Sequence, residues 1–190
     1  PERTTNVPFG ERSVEFDGSA TSALNVSDVS LASGTGDMTM EFWLHPNTVS
    51  GFQGIVDTWM EQTSGIGFYV WLDNGALDIV KDTSTYYYNH SGSYIKANTW
   101  QHIAITRASN TVRVFVNGTQ QYSVAITDNW TSQQIEIGNI QRTYANSLNG
   151  YISNFRYVVG TAVYTADFTP STTPLTAITN TSLLTCQNAV

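Results

Sequence analysis

The stretch Trp100–Gly118, WQHIAITRASNTVRVFVNG, holds two runs of alternating character joined by Ala108-Ser109-Asn110. In the first, Trp100–Arg107, Ile103 and Ile105 share a face with Gln101 and Arg107. In the second, Thr111–Asn117, Val112, Val114 and Val116 form a β-branched stripe, with Arg113 and Phe115 opposite. A side-chain period of two marks a strand with one buried face, and β-branched residues pack well on such a surface. The second run closes on Asn117-Gly118, the dipeptide that best tolerates the positive φ angles of a tight hairpin turn. A central β-hairpin follows, with a third strand expected over 121–126.

The same pattern extends outward. Met38–Leu44, MTMEFWL, alternates Met38, Met40, Phe42 and Leu44 with Thr39, Glu41 and Trp43, and Pro46 is expected to stop it. Gly67–Leu72 and Ala76–Lys81 flank Asp73-Asn74-Gly75, a second Asn-Gly turn. Further strands are expected at Ser13–Phe16, Leu24–Val26, Gly54–Trp59, Gln134–Gly138 and Gly150–Val159. Asp82–Tyr94 and Asn139–Asn149 read as polar loops, and Ala162–Phe168 as a turn or an edge strand. Trp43 and Trp100 read as core or sheet-packing residues, and Trp130 as a lid over the core. About twelve short strands separated by turn residues, without an amphipathic helix, predict an all-β chain. The expected architecture is a two-sheet antiparallel jelly-roll sandwich over 13–168. An N-terminal arm over 1–12 and an extended C-terminal arm over 169–190 would flank it, the latter packed on the sandwich or a neighbour.

Composition narrows the partners. With 190 residues the chain suits one sandwich, and a domain of this size buries roughly 70% of its unfolded surface without staples. The single cysteine, Cys186, excludes an intramolecular disulfide. The net charge of −7 and the absence of any basic run argue against nucleic acid, whose affinity rests on neutralised phosphates. No apolar stretch approaches the ~20 residues of a membrane span, so membrane insertion is not expected. The chain begins at Pro1 and is either processed or a domain of something longer. Abundant Ser, Thr, Asn and Gly with only 12% charged residues suit an extracellular or particle-surface protein.

Five stretches, in order, resemble the laminin G-like branch of the concanavalin A-like lectin/glucanase jelly rolls. Ser13–Gly18, SVEFDG, looks like that family's opening strand and turn. Met38–Pro46, Trp100–Arg107, Val112–Gly118 and Gly150–Tyr157 resemble four of its later strands. Arg156–Leu175, RYVVGTAVYTADFTPSTTPL, is similar to a continuation seen in structural proteins of tailed phages, marine phages especially, which implies a virion component. The family's closing strand often carries an Asp pair where Ser153-Asn154 stand here. There the parity also breaks, since Ile152, Phe155 and Tyr157 cannot all face inward without an extra residue, and a β-bulge is predicted. Calcium prefers several hard oxygen ligands including carboxylates; the resemblance leaves Asp17 and Asn154 as its candidate ligands.

Glucanases of this fold need two carboxylates flanking the scissile bond. Gln134–Gly138 offers only Glu136, and Glu41 and Asp57 lie on separate strands. The three histidines are far apart and no nucleophile elbow exists, so a non-enzymatic role is expected. A sugar site needs exposed aromatics beside amides and carboxylates. Tyr69 and Trp71 lie opposite in parity to Phe68, Val70 and Leu72 and are expected on the solvent face. Asp57 and Trp59 precede them, Tyr86 and Tyr88 follow, and Gln141, Arg142 and Tyr144 are expected across from them. Consecutive segments tend to be neighbours. These nine residues form the candidate glycan site, unless the Tyr86–Tyr88 loop covers Tyr69 and Trp71. The alternative is an architectural particle protein that contacts sister copies or other virion proteins; burial of Tyr69 and Trp71 would favour it. A virion-surface or extracellular location suits both.

Overall fold

A strand buried on one face needs a second layer over that face and partners along its edges. The computed structural model describes residues 9, 12–27, 31–58, 66–81, 86–88, 92–140 and 147–187. Its strands are β1 (Val14–Asp17), β2 (Leu24–Ser27), β3 (Met38–Pro46), β4 (Phe52–Asp57), β5 (Tyr69–Asp73), β6 (Ala76–Val80) and β7 (Tyr86–Tyr88). There follow β8 (Gln101–Ala108), β9 (Thr111–Val116), β10 (Thr119–Ala125), β11 (Gln134–Ile137), β12 (Asn149–Val159) and β13 (Thr181–Thr185). One sheet of seven strands runs β1-β12-β3-β8-β9-β10, with β13 also on β12; a sheet of six runs β2-β11-β4-β5-β6-β7. The fold is an all-β antiparallel sandwich, and no helix among the described residues is long and apolar enough to cross a membrane.

The expected hairpins form at the expected residues. Asn74-Gly75, Ser109-Asn110 and Asn117-Gly118 each place two consecutive residues at positive φ, the geometry whose twist matches antiparallel strands. Ile103 then faces Val116 and Ile105 faces Val114. The inward stripes of β3, β8 and β9 meet Phe68, Val70, Leu72, Leu77, Ile79, Ile135 and Ile137 from the other sheet in one core. Trp130 closes one end of that core, 4.5 Å from Phe68 between ring centroids and 4.6 Å beneath the Arg107 guanidinium. Arg107 ends the inward stripe of β8 by donating to the carbonyls of Gly34 (3.0 Å) and Ile126 (2.9 Å).

The predicted bulge lies between Ser153 and Arg156 on β12, with Asn154 at φ 53°. The extra residue lets Ile152, Phe155 and Tyr157 all join the core. A second bulge, at Gly54–Val56 on β4, was not expected. It turns both Ile55 and Val56 inward, so Asp57 faces out where strict alternation from Ile55 would turn it in.

Three local expectations are corrected. β7 forms inside the stretch read as a polar loop, because its backbone pairs with β6. β3 runs past Leu44, the last residue expected in it, and ends on Pro46. Residues 162–168 form no strand; they cross the outer face of the seven-stranded sheet through hydrogen bonds from side chains and turns. Thr39 Oγ1 donates to the Thr161 carbonyl (2.9 Å) and accepts the Val163 N–H (2.8 Å), and Thr106 Oγ1 donates to the Tyr164 carbonyl (2.8 Å). The Phe168 N–H donates to the Gly118 carbonyl (2.9 Å). Beneath this segment Glu41 is fully buried. Its Oε1 accepts Arg156 Nε (2.9 Å) and Nη2; its Oε2 accepts His102 Nε2 (3.1 Å) and the Tyr164 hydroxyl (3.0 Å). Further on, the chain supplies β13, which pairs with the second half of β12. Of residues 1–12, only Phe9 and Arg12 lie within the described residues.

Cys186 follows β13 and is buried, and burial pushes its thiol up to about 12. The thiolate is the reactive form, so at pH 8 the folded protein should not react measurably with a thiol-specific disulfide reagent, whereas the urea-unfolded chain should react at once. Rapid labelling of the folded protein would place Cys186 at the surface.

Candidate functional site

Alternation on β5 turns Phe68, Val70 and Leu72 inward and leaves Tyr69 and Trp71 on the outer face of the six-stranded sheet. Register then brings acids beside them. Asp57 pairs with Tyr69 on one side and with Glu136 on the other, and Trp71 pairs with Asp78. Three carboxylates, on β11, β4 and β6 of four adjacent strands, thus face away from the core, with Asp57 and Asp78 0% exposed and Glu136 2% exposed. None of the three lacks a partner. Asn139 Nδ2 donates to Glu136 Oε1 (3.2 Å) and to the Ala20 carbonyl (3.2 Å), while Ser147 Oγ donates to Asn139 Oδ1 (3.0 Å).

The expected solvent platform is corrected at this point. Tyr69 and Trp71 do lie on the outward face, but they are only 2% and 9% exposed. Ile140 packs with Tyr69, Trp71 and Val80 in a small cluster outside the main core. Gly54 permits this. A Cβ at that position would stand 2.6 Å from the Ile140 nitrogen, so the chain after β11 lies directly on β4, and Gly54 bridges to Ser147. One ring of the array stays open: Phe52, 45% exposed, leans on Trp71 with centroids 5.3 Å apart.

The structure therefore unites Asp57, Tyr69 and Trp71. It adds Asp78, Asn139, Ile140 and Phe52, which sequence reasoning had not assigned to the site, and Glu136, which it had weighed only as a lone catalytic acid. Asp78 was legible, because the Asn74-Gly75 turn fixes its register with Trp71; Ile140 carried no periodic signal. Tyr86 and Tyr88 belong to β7 through their backbones, opposite Val80 and Ile79. Trp59, Gln141, Arg142 and Tyr144 lie outside the described residues. Between Tyr86 and Tyr88, Tyr87 accepts the Trp130 Nε1–H (3.3 Å), and burial raises its hydroxyl to about 12.

The two candidate calcium ligands do not meet. Asp17 pairs with Asn149, five residues from Asn154 along β12, a separation of roughly 16 Å at strand rise. The Asp17 carboxylate is exposed and accepts the Ser19 N–H (2.9 Å); the Ser19 hydroxyl first, then that N–H, hold its pKa below the usual value. Asn154 is buried, and its Oδ1 already accepts the Leu175 N–H (3.0 Å) and Gln187 Nε2 (2.9 Å). This pair does not fit a calcium ion. Among the described residues no group of three or more His, Cys, Asp or Glu could hold a metal.

Asp57 and Glu136 are direct cross-strand partners, whose Cβ atoms lie about 4.5–5.5 Å apart, close to the ≈ 5–5.5 Å carboxyl spacing of retaining glycosidases. Both carboxylates are closed off from solvent in this structure.

A sequence model described as the concanavalin A-like lectin/glucanases superfamily, laminin G type, matches residues 17–176. The chain belongs to this superfamily. No curated protein matches it in sequence. Among solved structures it is similar to the botulinum neurotoxin serotype D binding domain (TM-score 0.59, 16% identity, covering 86% of this chain and 43% of that one). It is also similar to domain 4 of AbnA, an extracellular arabinanase from Geobacillus stearothermophilus, solved with arabinotriose (TM-score 0.63, 15% identity, 80% and 72% covered). A third similar structure is Trypanosoma rangeli sialidase (TM-score 0.55, 11% identity, 81% and 26% covered). The chain spans less than half of the toxin domain and about a quarter of the sialidase. At these identities the likeness is one of fold.

Proposed function

We propose that this chain is a non-catalytic carbohydrate-binding domain on the outside of a virus particle or cell. The carrying observation is the outward array of Phe52, Trp71 and Tyr69 beside Asp57, Asp78 and Glu136. Aromatic rings offer stacking faces for the C–H side of a sugar, and carboxylates accept its hydroxyls. Phe52 is the open ring, Trp71 backs it, and Asp57 takes hydroxyls once Ile140 is displaced. Membership of a superfamily of lectins and glucanases supports the chemistry, as does the similarity to an arabinanase domain solved with arabinotriose. The sequence likeness of Arg156–Leu175 to tailed-phage structural proteins supports a virion setting, with other virion proteins or sister copies as neighbours.

The burial of Tyr69 and Trp71 favours a second reading, in which the domain is architectural and decorates or assembles a particle. Screening the purified domain on bacterial polysaccharides separates the two. Binding should be saturable, fall about tenfold in Phe52→Ala, the loss of one ring contact near 1.4 kcal/mol, and vanish in a folded Trp71→Ala. A blank screen joined to self-association or docking onto particles would establish the architectural role.

A further inference from the structure

The seven-stranded sheet has an outer face of its own, and residues 161–168 cover only part of it. They run over Thr39, Glu41 and Thr106. Beyond them, one row across β12, β3 and the start of β8 sets Tyr151, His45 and Trp100 side by side. The His45 ring lies 5.3 Å from Trp100 and 5.7 Å from Tyr151. One step along β3, Trp43 stands 5.4 Å from His102. Parity opposite to Leu44 and Ile152 turns this cluster away from the core. Trp43 and Trp100, expected as core or sheet-packing residues, pack on the outward side of the sheet and are only half-buried.

The cluster also holds polar atoms that the protein does not satisfy. His45 is 8% exposed, and its Nδ1 has no hydrogen-bond partner; the Nε1 atoms of Trp43 and Trp100 are buried without one as well. Glu15, at the rim, accepts the Tyr151 hydroxyl (3.1 Å). Buried polar groups are normally paired, so three unpaired ring nitrogens among tilted and edge-on rings call for a ligand with both apolar faces and oxygens. An aliphatic chain would leave the nitrogens unpaired, and a cation would meet indole N–H donors.

We propose that Trp43, His45, Trp100 and Tyr151 form a second carbohydrate-binding surface. A pyranose ring stacks on Trp100, and its hydroxyls pair with His45 Nδ1 and the indole N–H groups. Phe9, edge-on to Trp43 with centroids 5.1 Å apart and planes at 90°, occupies part of that surface and competes with the sugar. This rests on the carbohydrate-binding function proposed above and places a separate surface on the opposite sheet.

Indole N–H resonances test it. Titrating the 15N-labelled domain with arabinotriose, cellotetraose and a galactan tetrasaccharide should shift the Trp43 and Trp100 signals saturably. Phe9→Ala should tighten that binding about tenfold and Trp100→Phe should weaken it, each the size of one ring contact. Shifts confined to Trp71 would overturn the second surface and leave carbohydrate binding standing. No shift with any probe, in the wild type or in Phe9→Ala, would overturn both.

Discussion

Glu41→Gln should cost the domain about 3–5 kcal/mol, the usual price of breaking a buried ion pair by removing one partner. The Glu41 carboxylate joins three structural pieces: Arg156 from β12, His102 from β8 and Tyr164 from the segment that crosses the sheet. Glutamine keeps the volume but leaves the Arg156 guanidinium buried without a counter-charge. Against a typical total stability of about 5–15 kcal/mol, such a loss is severe. Urea unfolding at pH 7 measures it directly, and a loss under about 1 kcal/mol would show that Arg156 finds another partner.

The pH dependence sharpens that test. Burial opposes ionisation of Glu41, but the His102 hydrogen bond and the Arg156 charge outweigh it, holding the carboxyl below its ordinary value of 4.5. A group with a depressed folded pKa contributes its full stability above the unfolded pKa and loses it as pH falls through the folded one. The gap between wild type and Glu41→Gln should therefore be constant from neutral pH down to about 4.5 and narrow below it. A gap that stays the same in acid would mean that Glu41 is not the ionised centre of the network.

Gly138→Ala should cost about 2–5 kcal/mol, from left-handed backbone strain of about 1–2 and overpacking of about 1–3. Gly138 sits at φ 88°, and a Cβ there would stand 2.0 Å from the ring of Phe16, which is in the core. Its N–H donates to the Ile55 carbonyl (2.8 Å) and its carbonyl accepts the Leu148 N–H (2.9 Å), so the backbone cannot slide away. The strain would pass to Asn139 and Ile140, and acrylamide should quench Trp71 more readily in the variant. Gly51→Ala is the control, with φ 71° but no atom within 4 Å of the added methyl; it should cost only the backbone part. Equal losses for the two would remove the packing explanation.

The sandwich was legible because alternation and Asn-Gly turns are local signals. Val112, Val114 and Val116 declare their inward face without help from the rest of the chain, and Ile152, Phe155 and Tyr157 declare the bulge through broken parity. What alternation cannot say is what lies on the other face. Tyr69 and Trp71 were placed on the correct side, yet Ile140 covers them through a close approach that depends on Gly54 lacking a side chain. Asp57 was chosen for its neighbours in sequence, and only the unexpected β4 bulge turns it outward. β7 and β13 went unread for a related reason: both are short strands held by the edge they join. Asp17 and Asn154 were linked by resemblance alone, and the register of β12 keeps them apart.

The sharing of β12 by β1 and β13 brings the first and last strands of the sandwich together. Val14 pairs with Ile152 and Thr185 with Phe155, so the first and last strands abut the same edge only three residues apart, about 10 Å at strand rise. The start of β1 and the end of β13 lie close together, an arrangement that suits insertion into a host polypeptide. Such a sandwich can be spliced into a loop of another protein as a single plug, or removed from it, with little disturbance to the scaffold on either side.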